Sequence, residues 1–230
     1  MNKEYAEYLL EKTRQDYNLI AQDFANKRER IWEETRFLLE NYLKPNEKVL
    51  DLGCGNGRYF PLFKEKSVDY YGIDSSKDLI KIAQRDYPAG KFQVGEALKL
   101  PFDNNFFDKV YSIAVLHNIP SEEFRLQFLK EAGRILKSKG LLILTVWKIH
   151  QFKESHLLFK YIILKLIGKS KMDWKDFLEP WDKKVERYYH SFSLEELSNL
   201  VKKAGFKIQE KGIIKNRRGN RQNLYIICQK

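Results

Sequence analysis

The chain has 230 residues, 43% apolar and 32% charged, a balance that suits one well-cored α/β domain and excludes a disordered or fibrous protein. Lysine and arginine number 42 against 31 acids, a formal charge of +11, which points to a polyanion such as nucleic acid, to an anionic membrane surface, or to a generally Lys-rich composition. Cys54 and Cys228 are too few and too far apart for a disulfide framework or a zinc site, so a reducing cytoplasm is expected. The polar start Met1-Asn2-Lys3-Glu4 lacks a signal core, and no run reaches the roughly 18–20 clean apolar residues of a membrane span.

Residues 3–42 read as helices, with Tyr5, Tyr8, Leu9, Tyr17, Ile20 and Phe24 in a loose i, i+3/i+4 stripe. Packed on a sheet they form a cap; over a pocket they form a lid. Next comes Val49-Leu50-Asp51-Leu52-Gly53-Cys54-Gly55-Asn56-Gly57-Arg58, a buried strand ending in an acid and running into a glycine-rich turn. Glycine has no Cβ and accepts positive φ, so such a turn lets the backbone approach a ligand. A dinucleotide G-x-G-x-x-G would place its third glycine at Arg58, which departs from that spacing. Asp74 closes the next strand about twenty residues on, where an acid accepts from ribose hydroxyls.

Strands are expected near 48–52, 69–74, 91–95, 108–114 and 140–147, with helices near 58–66, 76–86 and 121–137. That alternation argues for a parallel sheet covered on both faces. From 148 to 186 it breaks, and the stretch is too long for an ordinary connection. It should be an insertion with its own helix, in which Leu157 to Ile167 are interleaved with Lys153, Lys160, Lys165, Lys169 and Lys171. Such a helix packs its apolar face on the body, or serves as a membrane-surface element or substrate lid. Ser193 and Glu196 form a capping box for a helix ending at Gly205. Phe206–Gly212 and Asn223–Ile227 close the chain as strands, amid a cluster from Lys202 to Arg221 with almost no acids. One domain spanning 1–230 is expected, with a helical cap over 1–45 and the insertion at 148–186.

The D-x-G-x-G-x-G spacing resembles motif I of the class I S-adenosylmethionine (SAM) methyltransferases. That resemblance implies a Rossmann-like fold, α/β, with a mostly parallel seven-stranded sheet, an antiparallel last strand and helices on both faces. It implies SAM as cofactor, held by Asp51, Gly53, Cys54, Gly55, Gly57, Asp74, Ser75 and Ala114. Gly95-Glu96-Ala97 through Pro101-Phe102 resembles the family's acid-Ala-x-x-L-P-F segment, which puts Glu96 and Ala97 at the adenine, although most relatives carry Asp. Tyr17 to Phe24 is similar to a Y-x-x-I-A-x-x-F/Y signature that places Tyr17 near the methionine carboxylate. Arg134-Ile135-Leu136-Lys137-Ser138-Lys139-Gly140 resembles the R-x-L-K-P-G-G turn ahead of strand five.

A narrower resemblance runs the length of the chain. Asp23-Phe24-Ala25-Asn26-Lys27-Arg28 with Trp32, Ser112 to Asn118, Val146-Trp147, Arg187-Tyr188-Tyr189-His190 and Arg221-Gln222-Asn223 are similar to segments of the tRNA wobble-uridine carboxymethyl methyltransferases. Departures are Asp23, Lys27, Ile31, Asn118 and Gln222. The resemblance implies methyl esterification of 5-carboxymethyluridine in tRNA, with Arg28, His117 and Arg187 as catalytic candidates. Trp32, Tyr189, His190, Arg221 and Asn223 are implied as substrate contacts, and a small zinc-containing activator subunit as a partner, with the edge near 91–95 as its dock. A carboxylate is already ionised at neutral pH and needs no general base, so alignment and cations suffice. There is no N/D-P-P-Y/F segment for an amine, no cysteine placed for attack on a pyrimidine and no metal cluster. A small-molecule C- or O-methyltransferase acting on a quinone-type substrate at a membrane, and a non-catalytic RNA-binding relative, remain as alternatives.

Overall fold

The computed structural model describes residues 1–148, 152–219 and 221–230, with backbone alone for 152–155, so Lys153 lies outside the described side chains. Three helices come first, α1 (Lys3–Leu19), α2 (Ala21–Lys27) and α3 (Arg36–Glu40). Alternation then gives β1 (Lys48–Leu52), α4 (Phe60–Glu65), β2 (Asp69–Asp74), α5 (Lys77–Asp86) and β3 (Lys91–Val94). It continues with β4 (Phe107–Ile113), α6 (Glu122–Ile135) and β5 (Leu136–Trp147). After α7 (Phe152–Leu166), β6 (Asp176–Trp181) and β7 (Val185–His190), the chain closes with α8 (Leu194–Lys203), β8 (Lys207–Lys215) and β9 (Gln222–Gln229).

Seven strands form one sheet in the order β3-β2-β1-β4-β5-β9-β8. The first five are parallel, and β9 runs antiparallel to both β5 and β8. Period-two side-chain alternation splits the core between the faces. Leu50, Leu52, Val110, Leu142 and Leu144 pack under Phe124, Phe128 and Leu129 of α6 and Leu197 and Leu200 of α8. Val49, Tyr111, Ile113 and Ile143 meet Leu38 and Leu39 of α3, Phe60 and Phe63 of α4 and Ile80 of α5. Ser76, Ser121 and Ser193 cap α5, α6 and α8 by accepting from backbone N–H groups three residues on.

Two features differ from expectation. Strand β5 starts at Leu136, earlier than the expected 140, with Lys139 at φ 64° where the resembling turn has glycine. Beyond α7 the chain forms a two-stranded sheet, β6 with β7. Its pattern hid it: Arg187 to His190 are buried in succession on both faces of the strand, so β7 shows no alternation of polar and apolar positions. Helix α7 turns Leu157, Leu158 and Tyr161 onto Phe177 and Tyr189, while Phe159, Ile163, Leu166 and Ile167 stay exposed. Among the described side chains, part of the helix's apolar surface is therefore left uncovered.

Candidate active site

The chain begins its sheet at the middle with β1, goes outward to β3 and returns to β4, so strand order reverses beside β1. Open α/β sheets bind ligands at the carboxyl ends of the strands at such a switch point. A cleft lies here, lined by Asp51, Gly53 to Asn56 and Arg58 at the end of β1, by Asp74 and Ser75 at the end of β2, and by Ile113 to Val115 and His117 to Ile119 at the end of β4. Helices α1 and α2 and strand β7 supply the opposite wall through Tyr17, Phe24, Arg28, Arg187 and Tyr189. That wall is tied down. Asn18 Oδ1 accepts from Ser76 Oγ at 2.9 Å, and Asp23 Oδ2 accepts from Trp181 Nε1 at 2.5 Å.

One end of the cleft is acidic. Gly53 and Gly55 take φ of +82° and +56°, and Gly53 N and Cys54 N donate to Ile73 O at 2.7 and 3.0 Å. Asp74 is fixed by Gly55 N and Ser76 N, each donating to it at 2.9 Å. Burial raises its pKa against the pull of those donors. Asp51 accepts from Tyr70 Oη at 3.2 Å, and burial pushes its carboxyl up to about 7, with Asp74 adding to the rise and Tyr70 opposing it. Glu96 accepts from Arg14 at 3.1 Å, beside Ala97. Ala114 completes this wall at φ 61°. Bare backbone, the buried Asp51, the half-buried Asp74 and Glu96 at the rim fit a ligand that carries hydroxyls and positive charge, as SAM does. When bound, SAM supplies an electrophilic methyl group.

The other end is basic and aromatic. Arg28, Trp32, Arg58, His117, Trp147, Arg187 and Tyr189 meet here. His117, Trp147 and Tyr189 lie near-parallel with ring centroids 5.1–5.3 Å apart. His117 is buried, its Nδ1 accepts from Trp147 N at 3.4 Å, and burial with Arg187 and His190 lowers its pKa to about 3. The imidazole is therefore neutral at working pH. Arg187 pairs with Glu179 and lies over Trp181 and Tyr189. Burial pulls its pKa down, but Tyr189, Tyr17 and Glu179 outweigh that and raise it. Arg28 has no acid partner among the described residues. Burial lowers its pKa, and Arg58, Arg187 and Arg221 add repulsion.

Four expected contacts lie elsewhere. His190 is clamped by Asp176 at 2.6 Å and Glu196 at 2.8 Å, joining the inserted hairpin to α8, so it holds the fold together and does not line the cleft. Arg221 is held on Glu34 at 2.6 Å, in a neighbouring groove with Lys215, Arg217 and Arg218. Asn223 is fully buried opposite Trp147 in the β5–β9 ladder. Gly57 also misses the cleft: a Cβ there would press on Phe92 and Ala83, so it serves the packing of the loop. Conversely, Arg58 and Trp147 do line it and were not singled out. The signal was present in Arg58, a cation directly after three glycines, yet its spacing excluded a dinucleotide motif and said nothing of its own role.

Residues 50–144 match a family model described as a methyltransferase domain. Together with the glycine loop, the acid ending β2 and the sheet order, this defines a class I SAM-dependent methyltransferase. A tRNA (carboxymethyluridine(34)-5-O)-methyltransferase of Schizosaccharomyces pombe is 32% identical across 97% of this chain and 98% of its own. The chain belongs to that family. The enzyme so named in Arabidopsis thaliana is 33% identical over 79% of this chain, which spans only 43% of that longer protein. Among solved structures, a SAM-dependent methyltransferase of Methanosarcina mazei superposes with a TM-score of 0.73 at 25% identity, covering 84% of this chain and 96% of its own. A methyltransferase of Haloferax volcanii, solved with the Trm112 activator, shares the fold at a TM-score of 0.71 and 18% identity, over 94% of this chain and 96% of its own.

Proposed function

We propose that this enzyme methyl-esterifies the 5-carboxymethyl group of the wobble uridine in tRNA. The observation that carries the reading is the polarity of the cleft. Carboxyls Asp51, Asp74 and Glu96 line one end, and the guanidinium groups of Arg28, Arg58 and Arg187 line the other. The acidic end suits the cationic donor, and the basic end suits an anionic acceptor. Asp74 takes the ribose hydroxyls, with Glu96 and Ala97 at the adenine and Tyr17 at the methionine end. Arg28 and Arg187 orient the acceptor carboxylate, while Trp32 and Tyr189 offer faces for the base. A carboxylate oxygen takes the methyl as the carbon–sulfur bond breaks with its electron pair left on sulfur. No proton moves, which agrees with a His117 imidazole that burial makes too weak a base to take one.

The partner reading rests on similar ground. The basic groove beside Trp32, with Lys215, Arg217 and Arg218, supports a polyanionic substrate. The edge strand β3, whose Val94 is 52% exposed, is a free pairing edge on which a small activator subunit docks, as the Haloferax complex suggests. No helix among the described residues is long and apolar enough to cross a membrane, and a tRNA-modifying role sets the protein in the cytoplasm. Incubation with labelled SAM and bulk tRNA, followed by nucleoside mass spectrometry, tests the function. The label should appear on 5-carboxymethyluridine and be released by mild alkali, as an ester requires. Label on a base nitrogen or carbon, stable to alkali, would overturn it.

A further inference from the structure

We propose that Arg58 reads the charge of the acceptor, holding the acid form and letting the neutral ester go. The inference rests on the esterification reading above and assigns the charge-reading step to a residue which that reading leaves without a task. Arg58 follows the last glycine of the loop, and its side chain is only 9% exposed. No nitrogen of its guanidinium has a hydrogen-bond partner among the described residues, and Nη1 is sealed from solvent as well. Its position is nevertheless well determined. The guanidinium carbon lies 4.3 Å from the Trp32 ring centroid and 5.2 Å from that of Tyr59. Tyr59 Oη bonds Thr35 Oγ1 at 2.9 Å, and Thr35 Oγ1 donates to Trp32 O at 2.7 Å, so the two rings that cradle the cation are locked to each other.

The other arginines at the cleft differ. Arg187 is engaged with Glu179, and Arg14 with Glu11 and Glu96. Arg28 is free of acids but less buried. A buried cation without a counter-ion is destabilising unless an anion arrives. Two carboxylates come to this cleft: that of the acceptor and that of the donor's amino-acid tail. Arg58 and Arg221 share the Trp32 ring, their guanidinium carbons 4.3 and 4.8 Å from its centroid, and Arg221 is paired there with Glu34. Asp51 also acts on Arg58 from the donor end, so it is the stacking on Trp32, the face proposed for the base, that assigns Arg58 to the acceptor. Methylation then removes the charge that held the substrate, so the guanidinium loses its anion at the moment of product formation and the ester dissociates.

The test uses an anticodon stem-loop RNA carrying 5-carboxymethyluridine and the same RNA carrying its methyl ester. Both are titrated onto enzyme saturated with S-adenosylhomocysteine. The parent should favour the acid by roughly 10- to 100-fold, the range of a lost charge-assisted contact. Arg58→Gln should bring that ratio close to one, with S-adenosylhomocysteine affinity changed by less than about twofold, a margin well inside one such contact. Arg58→Lys keeps the charge but loses the planar fork, so its ratio should fall between the two. It also carries the test if the glutamine variant does not fold. A parallel fall in S-adenosylhomocysteine affinity would assign Arg58 to the donor's tail and overturn the proposal. So would an acid-to-ester ratio unaltered in Arg58→Gln, or a parent that binds both RNAs alike. None of these outcomes touches the labelling assay, so the function and this residue's part in it fail separately.

Discussion

Replacing Gly53 with alanine adds one methyl group at the point where the first strand turns beneath the donor. The backbone there has φ +82°, a region that costs an L-residue about 1–2 kcal/mol. The new Cβ would stand 2.3 Å from Val115 Cγ2 and 2.9 Å from Cγ1, so the loop or the β4 terminus must shift, at a further cost of about 1–3 kcal/mol. Together these destabilise by about 2–5 kcal/mol. At about 2–4 °C per kcal/mol for a chain of this size, Tm should fall by roughly 4–20 °C. The shift also moves Gly55 N away from Asp74, so S-adenosylhomocysteine affinity should drop with it. Thermal melts and calorimetry on Gly53→Ala, Val115→Ala and the pair form a double-mutant cycle. The pair should recover the steric share and keep the backbone share. Gly55→Ala is the control: its nearest neighbour would be Phe24 at 3.9 Å, so it should cost less stability while still obstructing the cleft. A Gly53→Ala protein with parental Tm and affinity, or strictly additive single effects, would refute the reasoning.

Asp51 carries a folded-state pKa raised to about 7, so its contribution to stability is fully present below pH 4 and is lost as pH rises towards 7. The decline, on the order of 4 kcal/mol at most, should vanish in Asp51→Asn, as read by denaturant midpoints across that window. His117 is neutral above about pH 3, so the pH profile of kcat should show no ionisation near 6.5, and a limb there that disappears in His117→Gln would contradict its assignment. His190→Ala, which strips the partner from Asp176 and Glu196, should cost about 3–5 kcal/mol of stability yet leave KM for tRNA unchanged at a temperature where the variant is folded. Arg28→Ala should lower kcat/KM at least tenfold, the loss of one charge-assisted contact, with calorimetric SAM affinity intact; unchanged turnover would remove Arg28 from the site.

Most of the acidic end of the cleft was legible in the sequence. Asp51, Gly53, Gly55 and Asp74 are local signals: a strand end, a turn that only glycine tolerates, and an acid one βα unit later. Such features are dictated by neighbours within a few residues, and linear sequence preserves them. The helices ahead of β1 and the alternation of strands and helices followed from periodicity for the same reason, and the seven-stranded sheet from the family resemblance. The acceptor's half was legible only as a set of residue types. Arg28, Trp32, Arg187 and Tyr189 did come together, whereas His190, Arg221 and Asn223 had equal claims on paper and went elsewhere.

The difference lies in long-range pairing. His190 and Tyr189 are adjacent on β7, and alternation sends one to Asp176 and Glu196 and the other to the stack with His117 and Trp147. Which goes where depends on the register of a hairpin whose unbroken burial concealed it. Arg58 and Arg187 are alike as residues, and only the fold gives Arg187 a glutamate and leaves Arg58 with none. The sequence by itself determined the strand–helix alternation and the glycine-rich turn, because those depend on local conformational freedom and hydrophobic period, and the reaction class followed from the resemblance of its motifs to a known family. Tertiary structure alone decided which cations stay unpaired at the acceptor's end, because counter-ion pairing depends on which side chains strand register and packing bring together, whether eight residues apart as for Arg187 and Glu179 or 187 apart as for Arg221 and Glu34.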